Sequence, residues 1–347
     1  MAQAGTHGPI PVTVLTGALG AGKTTLLNAA LGGVLTNVAV VVNEFGAIGI
    51  DNELIRAASE EVVLLPGGCV CCQVRADLAV ALLQLERGVA LGEHAGFERV
   101  IVETSGLAEP GPILQLFAES PALAGRFRLD ALVVMVDALL GEAALTEEGT
   151  AWRQALLADR LIVSKVELVA AATAERLLGR LADINPHAEL ALAPRGVAEA
   201  SWFGHAATAP GKVIPANALR ATHDEAIESF VLQWDVVLPL AAIGTWLQGL
   251  ADTRGARLLR IKGIVAAEGV DRAVAIHAIG HLVAPPDFLV GAADRSRVVF
   301  ITRGLEPADV APPWPFEVAR VARDSMRAVA SGIATGRVGG TIEGDNR

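Results

Sequence analysis

The residues with the clearest chemical meaning are Gly17-Ala18-Leu19-Gly20-Ala21-Gly22-Lys23-Thr24. Glycines at this spacing let backbone N–H groups converge on a phosphate where a Cβ would clash. Lys23 at the end of such a loop reaches the β- and γ-phosphates, and the Thr24 hydroxyl binds Mg²⁺. The candidate contacts to a nucleoside triphosphate are therefore Gly17, Ala18, Gly20, Ala21, Gly22, Lys23, Thr24 and Thr25.

Four further constellations follow along the chain. Asn43-Glu44-Phe45-Gly46, with Asp51 beyond, offers carboxylates after an apolar run; a solvated turn and a loop that senses phosphate or metal fit it equally. Cys69, Cys71 and Cys72 follow Pro66-Gly67-Gly68 and are the chain's only cysteines. Cysteine spacing alone divides evenly between core packing and soft-metal binding by Zn²⁺ or Cu⁺. Beside a nucleotide loop, the cluster reads as a metal site. Glu103-Thr104-Ser105-Gly106 has the layout of a D-x-x-G switch, its carboxylate near Mg²⁺ and the Gly106 N–H near the γ-phosphate. Ser164-Lys165-Val166-Glu167 is similar to the N-K-x-D loop that reads guanine, with Ser for Asn and Glu for Asp. Asp137, by contrast, reads as a turn cap.

The elements that must position these groups are legible as alternation. Apolar runs at 11–16, 38–43, 99–103, 131–136, 161–164 and 188–193 read as strands separated by helical patterns. That is the signature of an α/β, doubly wound, mostly parallel P-loop sheet over residues 10–200. Residues 201–224 lose periodicity and read as a linker. A smaller α+β domain is expected over 225–328, with strands at 230–237, 257–266, 272–283 and 297–301 and a helix at 240–251. The tails at 1–9 and 329–347 are expected to be disordered.

Composition bounds the function. The 347 residues are 52% hydrophobic with mean hydropathy +0.46, so a sizeable core is expected. A net charge of −10 without a basic block argues against nucleic acid as the main partner. No uncharged apolar run is long enough for a membrane span, and no secretory signal is visible. Three clustered cysteines exclude a disulfide framework and point to the cytoplasm.

Together the segments resemble the CobW family of metallochaperone GTPases, in the wider group that includes the urease and hydrogenase nickel-insertion GTPases. The resemblance rests on GALGAGKTT, VNEFGAIGID, GGCVCC, VIVETSGLAEP, VVMVDA, ADRLIVSKVEL and NPHAEL, then LLRIKGIVAAEG and RVVFITRGL, and covers roughly residues 10–325. It implies GTP binding, slow hydrolysis to GDP, and a transition metal held at Cys69, Cys71 and Cys72 for a client metalloprotein. Zn²⁺ is the leading metal; Co²⁺, for cobalamin synthesis or nitrile hydratase maturation, is the alternative. Gly17, Gly20, Gly22, Lys23, Thr24 and Thr25 carry over to phosphate and Mg²⁺, and Glu103 and Gly106 to the switch. Lys23, Glu44, Glu103 and Gly106 form the expected catalytic set, with Asp51 beside Glu44 as a candidate for positioning water. Ser164, Lys165 and Glu167 occupy the base-reading positions. Glu44, a water or a partner would complete the cysteine site. SKVE departs from the family's base loop, and the histidine-rich stretch of many members is absent. A P-loop small-molecule kinase and a partner-binding ATPase stay open as alternatives, as does a homo-oligomer.

Overall fold

In the computed structural model, residues 8–43, 62–64, 71–146, 149–194, 197–204, 213–214, 227–289 and 291–321 are described. The described residues up to 204 form one unit and those from 213 a second.

The first unit holds strands β1 (Ile10–Gly17), β2 (Val38–Asn43), β3 (Val62–Leu64), β4 (Arg99–Thr104), β5 (Phe127–Asp137), β6 (Arg160–Ser164) and β7 (Glu189–Ala193). They hydrogen-bond in the order β3-β2-β4-β1-β5-β6-β7, and every pairing is parallel. Parallel strands are covered on both faces and so read as unbroken apolar runs; β6 is buried throughout. Because the strands are parallel, Gly17, Asn43, Thr104, Asp137 and Ser164 all end at one edge. The chain leaves β1 toward β2 on one side and later reaches β5 on the other. The loop after β1 therefore lies at the topological switch point, where open α/β sheets bind ligands.

Helices α1 (Lys23–Leu31), α2 (Cys71–Leu91), α3 (Pro110–Glu119), α4 (Gly141–Ala144), α5 (Thr150–Leu157) and α6 (Ala171–Ile184) connect these strands. On α6, Ala174, Leu177, Leu178, Leu181 and Ala182 form the buried stripe, at the spacing of one helical face. Leu26, Leu27 and Ala30 of α1 join Leu15, Val40, Ile101, Val133 and Ile162 in one core cluster. Trp202 and Phe203 join it too, at 3% and 0% exposure. The Thr13 hydroxyl donates to Phe203 O at 2.5 Å, and Arg160 Nη1 to Ser201 O at 2.6 Å. The first unit thus continues past residue 200, where the sequence reading ends it, because two aromatics in a Gly- and Ala-rich stretch complete its core.

The second unit is an antiparallel sheet with one long helix. β8 (Val213–Ile214), β9 (Ile227–Trp234), β10 (Leu258–Val265), β11 (Val274–Ile279), β12 (Leu282–Val283), β14 (Ser296–Arg303) and β15 (Glu317–Val321) run in the order β12-β11-β10-β14-β9-β15-β8, and β13 (Asp287–Phe288) pairs with β11. Helix α7 (Leu240–Arg254) covers one face. The core there is aromatic: Trp246 lies 6.0 Å from Trp234, 5.3 Å from Trp314 and 5.9 Å from Phe300. The strand expected over 230–237 ends at Trp234, and the exposed Val236 and Val237 lie beyond it. The run expected over 272–283 is a hairpin, turned at Gly280 with φ 58°.

Candidate nucleotide site

The site is built from the loop between β1 and α1. Gly17 has φ 135°, and a Cβ there would meet Met135 O at 2.2 Å, so neither backbone nor space admits another residue. Gly20 and Gly22 follow at φ 77° and 91°, and Gly22 in the left-handed region opens α1. Lys23, 8% exposed, folds back across the loop: its Nζ donates to Gly17 O at 2.9 Å and to Ala18 O at 3.2 Å. The ammonium is thereby held over the loop that the backbone amides and the N-terminus of α1 face. Thr24 Oγ1 donates to Glu103 Oε1 at 2.8 Å, although the two are 79 positions apart in sequence. Strand pairing brings them together, since Leu15 stands in register with Glu103. Glu103 is buried. Thr25 is exposed.

The switch segment leans on the same loop. A Cβ on Gly106 would meet Leu19 N at 2.4 Å and Leu19 Cα at 2.7 Å, so only glycine allows this approach. On the other side, Ser164 Oγ donates to Ala21 O at 2.7 Å. Lys165 takes φ 57°, rare for a non-glycine residue, and its Nζ lies 2.5 Å from Asp137 Oδ2. Asp137 Oδ1 accepts from Leu139 N at 2.7 Å. Asp137 is therefore both a turn cap, as the sequence suggests, and the partner that orients Lys165. Glu167 is exposed in the short 3₁₀ turn Val166–Leu168.

Glu44, Asp51 and Cys69 lie outside the described residues. Cys71 and Cys72 open α2, with their side chains also outside them. The structure gathers Gly17, Ala18, Gly20, Ala21, Gly22, Lys23, Thr24, Glu103, Gly106, Ser164 and Lys165 around one loop. Two groups that pattern reading passes over belong to the same neighbourhood. Arg153 makes a forked pair with Glu109, its Nε at 3.0 and 3.1 Å and its Nη2 at 2.7 Å. Gln154 reaches the Ala108 carbonyl at 2.9 Å. Neither carries a motif; only the placement of α5 over β1 finds them.

Comparison with known proteins accords with this geometry. The family "CobW/HypB/UreG, nucleotide-binding domain" matches residues 11–191, just over half of the chain. The chain belongs to this family. The "Cobalamin synthesis protein cobW C-terminal domain" matches residues 227–312 of the second unit. The chain is 32% identical over 270 residues to "Zinc chaperone YjiA" of Escherichia coli (strain K12), covering 75% of this chain and 83% of that protein. It is 36% identical over 173 residues to "Zinc-regulated GTPase metalloprotein activator 1" of Schizosaccharomyces pombe, covering 46% of this chain and 40% of that one. Its fold is similar to the crystal structure of Zn(II)-bound YjiA GTPase from E. coli, with TM-score 0.57 at 24% identity, over 94% of this chain and 99% of that one.

Proposed function

We propose that the chain is a GTP-hydrolysing metallochaperone that delivers a transition metal, zinc first, to a client metalloprotein in the cytoplasm. The observation that carries the nucleotide half is the junction of Lys23, Thr24 and Glu103 at one glycine loop. It supplies an ammonium, a hydroxyl and a carboxylate where a triphosphate would meet backbone amides. The zinc half rests on family membership together with relatives named as a zinc chaperone and a zinc-regulated GTPase activator. No helix among the described residues is long and apolar enough to cross a membrane.

In this reading Lys23 neutralises charge on the β- and γ-phosphates, where the transferring group develops its transition-state charge. Thr24 and Glu103 are hard oxygen donors and fit Mg²⁺, which supplies charge neutralisation at the same phosphates. Gly106 reports on the γ-phosphate through its backbone, and Ser164, Lys165 and Glu167 read the guanine edge. Cys69, Cys71 and Cys72 would hold zinc as cargo; three thiolates leave a coordination position for transfer.

The test is zinc affinity in the two nucleotide states, measured by competition with a chromogenic chelator. Coupling of ordinary size changes the affinity by about 5–150-fold between a GTP-analogue and GDP, and Cys71→Ser removes most of the binding. Equal zinc affinity in both states, or wild-type affinity in the variant, would sink the delivery mechanism while leaving nucleotide binding intact.

A further inference from the structure

Helix α5 makes contacts that the reaction as described leaves unused. Gln154 is 1% exposed, and its Nε2 donates to Ala108 O at 2.9 Å and to Thr16 Oγ1 at 3.3 Å. Thr16 Oγ1 also accepts from Thr104 Oγ1 at 2.7 Å. Thr16 immediately precedes Gly17 of the phosphate loop, while Thr104 and Ala108 flank Gly106 on either side. The buried amide therefore ties one flank of Gly106, Ala108, to the strand that carries the loop, and the other flank, Thr104, meets the same strand at the Thr16 hydroxyl that the amide also bonds. Its orientation is decided by chemistry: a carbonyl only accepts, so exchanging Nε2 and Oε1 would set two acceptors face to face. The same helix holds Glu109 through Thr150 Oγ1 at 3.2 Å and the Arg153 fork. Buried polar groups cost stability unless bonded; the Gln154 nitrogen is bonded to the switch segment and to the root of the phosphate loop, while its Oε1 is buried with no hydrogen-bond partner among the described residues.

We propose that Gln154 is a positioning residue for GTP hydrolysis, holding the Thr104–Ala108 segment so that Gly106 stays against the phosphate loop. The proposal rests on the GTPase reading above. Gln154 acts through Ala108 and Thr16 and belongs to neither the phosphate loop nor the base loop. Its loss therefore slows turnover without weakening nucleotide binding.

The experiment compares the wild type with Gln154→Leu, which nearly keeps the volume and removes both donated bonds. Turnover is expected to fall about ten- to thirtyfold, the rate equivalent of one to two neutral hydrogen bonds. KM for GTP and Kd for a fluorescent GDP analogue are expected to stay within about twofold of wild type. Turnover is counted per GDP-binding site, so misfolded protein drops out of the ratio. Wild-type turnover per site in the variant overturns the proposal, as does a parallel loss of GDP affinity. Gln154→Glu adds a readout that a structural role would not move. Its ionised carboxylate can only accept and faces the Ala108 carbonyl; burial raises its pKa, and the protonated form donates again. The ratio of variant to wild-type turnover should therefore rise as pH falls from about 8 to about 6. A ratio flat with pH overturns the proposal. A wild type that binds GTP and never hydrolyses it overturns the GTPase reading itself, and the control alone reveals that outcome.

Discussion

At the C-terminal edge of the parallel sheet, Thr16, Lys23, Glu103, Thr104, Asp137 and Ser164 are buried close together, with hydrogen bonds reaching from loop to loop. The helix-facing side of the antiparallel sheet instead buries Phe230, Trp234, Trp246 and Phe300 among aliphatic neighbours. The aromatic side gains stability directly from area removed from water. The polar edge gains little, because each buried hydroxyl or charge gives up solvation that its bonds only return. In the proposed function such an edge is kept for the nucleotide. The contrast separates residues whose loss should unfold the protein from residues whose loss should silence it.

Two substitutions test that separation from opposite sides. Trp246→Ala removes a ring in contact with three other aromatics and an indole N–H that donates to Val310 O at 3.2 Å. The second unit should lose about 3–5 kcal/mol, read from guanidinium unfolding, while GTP-analogue affinity stays at the wild-type value. An equal loss of nucleotide binding would end the division of labour between the two sheets. Lys23→Ala should do the reverse, cutting turnover by about 10²–10³ with a melting midpoint near wild type. A GTP-turnover assay and thermal melting check it, beside titration calorimetry with a non-hydrolysable analogue, in which affinity should fall as well. Unchanged affinity and turnover would remove the phosphate-loop reading.

The same contrast explains what was legible in the sequence. The long parallel strands were readable because burial on both faces leaves no polar alternation. The phosphate loop was readable because its glycines, Lys23 and Thr24 fall inside one short span, whereas Glu103 joins Thr24 only through strand pairing. β3 escaped notice because three residues within a longer apolar stretch show no period. β15 follows a proline-rich segment, Pro312-Pro313-Trp314-Pro315, that reads as loop. Trp202 and Phe203 were read as linker because composition averages over a window, while burial is decided residue by residue. Gln154 could not be found at all: a lone glutamine on a helix acquires meaning only when strand order sets α5 beside Thr16.

His187 sharpens the comparison, because its ring puts a buried polar atom at the edge opposite the phosphate loop. It precedes β7, at the end of the parallel sheet opposite the phosphate loop. Asn185 organises that corner: its Nδ2 is shared among the Ala155, Leu156 and Ala158 carbonyls at 2.9 Å, and its Oδ1 accepts from His187 N at 3.2 Å. The residue keeps some exposed surface, but Nε2 is buried and has no hydrogen-bond partner among the described residues. Burial lowers the imidazole pKa from 6.5 to about 4. The folded protein therefore binds this proton less readily than the unfolded chain does. Its contribution is fully favourable above the unfolded value and is lost as pH falls from there toward the folded one. Between about pH 7 and about pH 5 the first unit should lose about 1–2 kcal/mol, the lower figure allowing for partial exposure. His187→Leu has nothing to titrate, so its urea midpoint should move less over that interval, and the difference between the two proteins isolates the histidine. Turnover near neutral pH should be the same in both, since the edge involved is remote from the phosphates. Equal pH dependence of the two midpoints would show that this imidazole is not held neutral by burial. A large loss of turnover in the variant would show that polar burial at the second edge also serves the reaction.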